Sequence, residues 1–266
     1  MDFQDIQSRG LVLLGCGQMG GALLRGWLAR GLAPDAVHVI DPRPADWLAE
    51  AGVQVNGDLP VDPAVALIAV KPQMMGQALP ALRALSPGTL FVTVAAGTTL
   101  AAYEAALGAG ARIVRSMPNT PAAIGQGITA ICGNAAATAA DLDLAEALLR
   151  AVGQVVRLSA EDQMDAVTAL SGSGPGYVFH LIEALAAAGV AEGLPDDMAL
   201  DLARATVAGA GALAVQTGTD PAVLRGNVTS PGGTTQAGLA VLMAELPDLL
   251  VRTVHAAAER GRELGK

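Results

Sequence analysis

Apolar residues fall into two patterns along this chain. Up to about residue 160 they come as short runs closed by glycine, proline or charge: Leu11–Leu14, Val37–Ile40, Val65–Val70 and Leu90–Val94, with shorter ones at Ile113–Arg115 and Val155–Arg157. Brief apolar runs bounded by turn residues predict strands of a buried sheet. Between them, Ala22–Arg30 and Asp141–Ala151 have helical spacing, and the first stops at Gly31, a residue suited to a helix end. Alternating elements of this kind predict a mostly parallel sheet with helices on both faces. Beyond residue 160 the period is helical throughout: Glu161–Leu170, Tyr177–Gly189, Pro195–Thr217, Thr234–Leu246 and Pro247–Leu264. Two domains follow from this change, an α/β domain over residues 1–160 and an all-α domain over 161–266.

Composition adds that the cores are built from small aliphatics, since 52% of residues are hydrophobic and only 3% aromatic. The Ala- and Gly-rich helical stretch 199–215 gives the second domain a thin core of its own. Burial against a second subunit is therefore expected. A net charge of −9 excludes the basic face that nucleic acid or an anionic membrane surface requires. Cys16 and Cys132 make neither a disulfide framework nor a zinc pattern, and His38, His180 and His255 lack ligand spacing. No metal is expected. The N-terminus lacks the order of a signal peptide, and no segment offers ~18–20 strongly apolar residues. A soluble cytoplasmic protein without membrane contact is the expectation.

The sequence GCGQMG follows the first strand and opens the first helix, the context in which GxGxxG binds a dinucleotide. Gly15 would make the tight turn, Gly17 would let backbone approach a pyrophosphate, and Gly20 would let helix and strand pack. A Rossmann-type domain follows; the rival is a glycine-rich turn with no ligand. Asp41 ends the second strand, about twenty residues on, where an acid binds the adenosine ribose and favours NAD. Arg43 could instead clamp a 2′-phosphate. Lys71 ends the third strand, at the edge where open α/β sheets bind ligands; the alternative is a surface lysine at a strand exit. Ala95-Ala96-Gly97 ends the fourth with residues small enough to let backbone meet a flat ring.

Three further motifs are rich in hydroxyls, glycine and proline. VTSPGGTT, at Val228–Thr235, is uncharged and precedes an apolar helix. Its Ser230, Gly232, Gly233, Thr234 and Thr235 would form a socket for a small carboxylate at a helix N-terminus. The rival is a Ser/Thr N-cap with a flexible lead-in. RSMPNTP, at 115–121, is read as a stiff polar loop after a strand. LSGSGPGY, at 170–177, is read as a break in a helical pattern whose Ser171 and Ser173 would line a cleft; the rival for both motifs is a plain loop. None of these segments holds a histidine, a cysteine or a metal cluster, so the chemistry belongs to a bound cofactor. The lack of an obvious proton donor points to hydride addition to an imine rather than to a carbonyl.

Taken together, GxGxMG at 15–20, AVKPQ at 69–73, AAG at 95–97, RxMPNTP at 115–121, LSGSGP at 170–175 and VTSPGGTT at 228–235 resemble the pyrroline-5-carboxylate reductase family, in order and spacing. The resemblance implies a Rossmann domain, a helical domain that intertwines with a second subunit, and a homodimer or larger assembly with a shared active site. It implies reduction of 1-pyrroline-5-carboxylate to L-proline by NADPH or NADH, the last step of proline biosynthesis. By motif matching, it places Gly15, Gly17, Gln18, Met19 and Gly20 on the dinucleotide phosphates. Asn56 falls near the adenosine part, while Val70, Lys71, Ala96, Gly97 and Asn227 line the cofactor. Thr235 bonds the substrate ring nitrogen, the loop amides hold its carboxylate, and Glu161 falls at the substrate site. The chain departs at Gly226, where members often carry an acid. Rival readings are a related imine reductase or small-acid dehydrogenase, and a non-catalytic dinucleotide sensor.

Overall fold

A computed structural model describes residues 3–85 and 88–265. Eight strands among them form one sheet: β1 Leu11–Leu14, β2 Val37–Ile40, β3 Gln54–Val55, β4 Val65–Ile68, β5 Leu90–Thr93, β6 Arg112–Met117, β7 Gly127–Gly133 and β8 Gly153–Arg157. Their order is β3-β2-β1-β4-β5-β6-β7-β8. All neighbours run parallel except β6 and β7. The chain order reverses direction at β1, so β2 and β4 flank it on opposite sides. This is the switch point at which such sheets open a crevice beyond their carboxyl ends.

The apolar runs occupy the centre because both faces of the sheet are covered. Leu11 and Leu13 pack on one side with Leu23, Leu24 and Trp27 of the helix Gln18–Leu28. Val12 and Leu14 pack on the other with Leu82, Tyr103 and Leu107. Trp27 is fully buried, and its indole Nε1 donates to the carbonyl of Leu148 at 2.9 Å. That bond satisfies the polar atom that burying a tryptophan would otherwise strand.

Several elements depart from the sequence expectation. Two strands lie outside the predicted runs: β7, whose apolar positions are interrupted by Gly127, Thr129 and Gly133, and β3, which has two residues, neither fully buried. LSGSGPGY is not a break: Thr168–Gly172 is a π-helical turn, and the helix Gly174–Ala191 starts two residues later. A further helix, Pro221–Asn227, precedes VTSPGGTT. The last two expected helices are one, Thr234–Leu264, with Pro247 inside it. Proline removes one hydrogen bond of the ladder, a local loss that a helix of 31 residues absorbs.

The chain divides into two compact units. One runs to Gly172 and takes back the chain from Ala258 onward; the other is Ser173–Ala257. In the second, the helices Gly174–Ala191 and Asp196–Thr217 pack as an antiparallel pair. Ala199 and Ala203 are buried, whereas Phe179, Leu202, Leu213 and Leu242 are about half exposed. Alanine lets the helices approach closely but leaves the larger apolar side chains on the outside. By length and composition alone the helix Asp196–Thr217 is apolar enough to cross a membrane, which the reading of the sequence had excluded. Its hydropathy comes from alanine and valine rather than from bulky side chains.

Candidate active site

The glycine-rich turn joins β1 to the helix Gln18–Leu28. Gly15 adopts φ +89°, and a Cβ there would lie 2.9 Å from Val70 Cγ1. A Cβ on Gly20 would press on the Gly15 carbonyl oxygen at 2.3 Å. These two glycines are demanded by the fold. Gly17 differs: its φ is −73° and a Cβ would meet nothing within 4 Å. Neither conformation nor packing requires glycine there, and the space above it is open. Gly17 also caps the helix, with no side chain bonding the first turn and no acid in that turn. The leading amides, those of Gln18, Met19 and Gly20, therefore have no helical acceptor and face positive-dipole space suited to an anion.

Asp41 is tied to this turn. Its Oδ2 accepts from the Cys16 amide at 2.8 Å and its Oδ1 from the Arg43 amide at 2.8 Å. Asn56, in a left-handed conformation (φ +52°), accepts from the Asp41 amide and donates to the Asp41 carbonyl. Asn56 thus fixes the loop after β2 through backbone bonds. The Cys16 thiol is pushed up to about 11 by burial, with the Asp41 carboxylate adding to the effect. It stays neutral and brings no negative charge to the glycine turn. Val70 is half-buried, and Lys71 is exposed at the exit of β4. Ala96 is exposed in the turn after β5, and Gly97 there has φ +76°. These turns all sit at the carboxyl end of the sheet. Among the described residues no cluster of three or more His, Cys, Asp or Glu is placed to hold a metal ion.

RSMPNTP is not a free polar loop. Arg115 lies within β6, only 5% exposed, and its Nη1 donates to Glu161 Oε1 at 2.5 Å. The same oxygen accepts from the Leu100 amide at 2.8 Å, the first residue of the helix Leu100–Leu107. Asn119 donates to the Ser171 carbonyl and accepts from the Ile128 amide. The motif thus holds the Ala95–Thr99 turn at one end and the π-helical turn at the other. Arg115 was legible only as part of a motif. The available signal was a charged residue inside an apolar strand, which requires a buried counter-charge.

In the other unit, VTSPGGTT forms an ordered turn. The Gly233 amide donates to the Ser230 carbonyl at 3.0 Å, with Pro231 and Gly232 (φ +73°) between them. Proline followed by a positive-φ glycine is the pattern of a type II turn. The Gly232 amide donates to Gln236 Oε1 at 2.6 Å. Both glycine amides expected to receive a carboxylate are therefore already used within the loop. The amides of Thr234 and Thr235 remain, as first-turn groups with no helical acceptor. Both side chains are exposed, as is Ser230. Thr229 Oγ1 donates to the Arg225 carbonyl and carries the turn on from the preceding helix. Asn227 is exposed at the end of that helix. Ser173 precedes the helix Gly174–Ala191 and makes no side-chain cap bond.

Residues 161–264 match the family model for pyrroline-5-carboxylate reductase dimerisation, and residues 10–97 match that for NADP oxidoreductase, coenzyme F420-dependent. A pyrroline-5-carboxylate reductase of Methanosarcina acetivorans is 38% identical over 270 residues, covering 98% of this chain and all of that protein. The structure of a pyrroline-5-carboxylate reductase from Coxiella burnetii superposes with a TM-score of 0.91 at 35% identity, covering 97% of this chain and 99% of the other. That of Plasmodium falciparum pyrroline carboxylate reductase, solved with NADP bound, gives 0.84 at 27% identity, covering 98% and 99%. Both halves of the chain, the glycine-turn sheet and the helices with their hydroxyl-rich turn, are thus shared over full length, and the chain belongs to the pyrroline-5-carboxylate reductase family.

Proposed function

We propose that this NAD(P)H-dependent oxidoreductase reduces 1-pyrroline-5-carboxylate to L-proline, the last step of proline biosynthesis, with Thr235 as the residue that orients the imine. The observation that carries this is the ordered Ser230–Gly233 turn, which presents Thr234 and Thr235 at the start of the long helix. The amides of Thr234 and Thr235 receive the substrate carboxylate, and the Thr235 hydroxyl bonds the ring nitrogen. Gln236 and Ser230 hold the turn so that this anion site is preformed. Gln18, Met19 and Gly20 amides bind the dinucleotide phosphates over Gly17, and Asp41 takes the ribose hydroxyls with Asn56 behind it. Val70, Lys71, Ala96, Gly97 and Asn227 line the rest of the cofactor. The bound nicotinamide supplies the hydride that reaches the imine carbon, while a proton completes the amine.

The protein is a homo-oligomer, and we place its active sites between subunits. The exposed apolar helix faces and the exposed Thr235 in the single chain support that arrangement. We place it in the cytoplasm; its two cysteines are free and buried. Steady-state turnover of pyrroline-5-carboxylate with NADH and NADPH, set against a six-membered cyclic imine and a 2-keto acid, tests the substrate. Thr235→Val should cost ~2–4 kcal/mol of transition-state stabilisation, read as lost kcat with nucleotide binding intact. Unchanged turnover in Thr235→Val refutes its role.

A further inference from the structure

Glu161 does more than border the site. Its single oxygen Oε1 joins two elements far apart in sequence, the buried Arg115 guanidinium on β6 and the Leu100 amide at the helix start. The stretch between β5 and that helix is Val94–Thr99, the turn with Gly97 at φ +76°. Thr99 caps the same helix through the Ala102 amide at 3.2 Å. One end of the turn is thus fixed by the sheet ladder and the other by a side-chain cap plus a charged one. Beneath it lies a buried polar layer. Tyr103 and Thr93 are fully buried, with the Thr93 and Thr98 hydroxyls facing the Tyr103 hydroxyl. The Ser116 hydroxyl donates to the Thr93 carbonyl at 2.6 Å.

We infer that the Arg115–Glu161 pair is a positioning device for the nicotinamide-facing turn Ala95–Thr99, and that Glu161 acts on the reaction through this turn rather than by touching the substrate. This rests on the assignment of Ala96 and Gly97 to the nicotinamide. The carboxylate's strongest bond is committed to a guanidinium that is 6% exposed, and its side chain is itself only 30% exposed. A substrate carboxylate would be repelled by it. A helix start, by contrast, gains from an anion. Arg115 is buried in the sheet between its neighbours Thr93 on β5 and Cys132 on β7. The charge pair therefore sets where the helix begins, and with it the height of the turn.

Glu161→Ala removes both bonds, while Glu161→Gln keeps an oxygen at the same reach and serves as the conservative rescue. Expected for Glu161→Ala is a fall in kcat on the order of 10- to 100-fold through misplacement, with KM for pyrroline-5-carboxylate changed by less than about 2-fold. Glu161→Gln should recover most of the loss. The primary isotope effect with 4-deuterated cofactor should change in the alanine variant only. Independently of turnover, NADH titrated into each variant should bind with near wild-type affinity, but its bound fluorescence lifetime should shift in Glu161→Ala. A raised KM with alanine and glutamine equally impaired would show substrate contact and overturn the inference. A lowered melting temperature with lifetime and isotope effect unmoved would show a merely structural bond and overturn it too. If wild-type enzyme fails to turn over pyrroline-5-carboxylate, the substrate assignment fails; the NADH lifetime still decides the role of Glu161.

Discussion

Gly17→Ala against Gly20→Ala separates a glycine kept for a ligand from one kept for the fold. At Gly20 the new Cβ would sit 2.3 Å from the Gly15 carbonyl oxygen, a backbone atom with nowhere to go. Overpacking of that kind costs about 1–3 kcal/mol, or roughly 2–12 °C in melting temperature for a chain of this size. At Gly17 the new Cβ meets nothing within 4 Å, so the apo protein should melt within about 2 °C of wild type. Binding should respond in the opposite order of severity to stability. Losing a charge-assisted bond to a phosphate costs about 1.5–3 kcal/mol, or roughly 10- to 100-fold in Kd. The assay is melting with and without NADH or NADPH, whichever binds tighter. At 100 times the wild-type Kd the nucleotide adds about 2.7 kcal/mol of stability to wild type. A 100-fold weaker variant at the same concentration keeps only about 0.4 kcal/mol. Across the 10- to 100-fold range, Gly17→Ala should thus have a normal apo melt and a nucleotide shift cut to about half or less of the wild-type shift. A destabilised apo protein, or a full nucleotide shift, refutes the reasoning that the space above Gly17 is the phosphate site.

Asp41 offers a second measurement: kcat/KM with NADH should exceed that with NADPH, and Asp41→Ser should narrow the gap. A wild-type preference for NADPH shows that Arg43 or another group prevails. The thiols of Cys16 and Cys132, both pushed up to about 11 chiefly by burial, should react slowly with a disulfide reagent at pH 8 and fully in denaturant. Their raised folded values mean the folded state holds these protons more tightly. Their contribution to stability is complete below the ordinary thiol range and is lost as pH climbs towards 11, so denaturant midpoints should fall over that interval. Gly226→Glu introduces an acid at the position where the resemblance implies one, and a Cβ there meets nothing within 4 Å. The variant should fold normally, with any change appearing in KM for the imino acid.

Much of the sheet was legible because β1 and β4 are four-residue runs buried at every position, and short runs of that kind bounded by turn residues read as buried strands. The strands that escaped had no such signature. β3 is two residues with polar Gln54 outward, and β7 mixes Gly127, Thr129 and Gly133 with its apolar positions. The antiparallel β6–β7 pairing is a matter of which strands become neighbours, which no local window reports. The site divides the same way. GCGQMG and VTSPGGTT are local turns whose glycine and proline positions dictate their shape. The Glu161–Arg115 bond spans 46 positions, and the Gly232–Gln236 bond depends on a side chain outside the motif. These were invisible because they are choices of partner rather than of conformation.

The double duty of Asp41 constrains how this enzyme can change its nucleotide. One carboxylate oxygen anchors the glycine turn through Cys16 and the other closes the turn at Arg43, and the ribose assignment asks for the same group. A substitution that admits a 2′-phosphate by removing the charge also unfastens the glycine turn proposed for the pyrophosphate. Asparagine keeps one acceptor for the Cys16 amide and drops the repulsion, whereas alanine drops both. The route from one cofactor to the other in such a chain therefore runs through an amide intermediate, and a direct jump to a small apolar residue sacrifices binding of either nucleotide before it gains any selectivity.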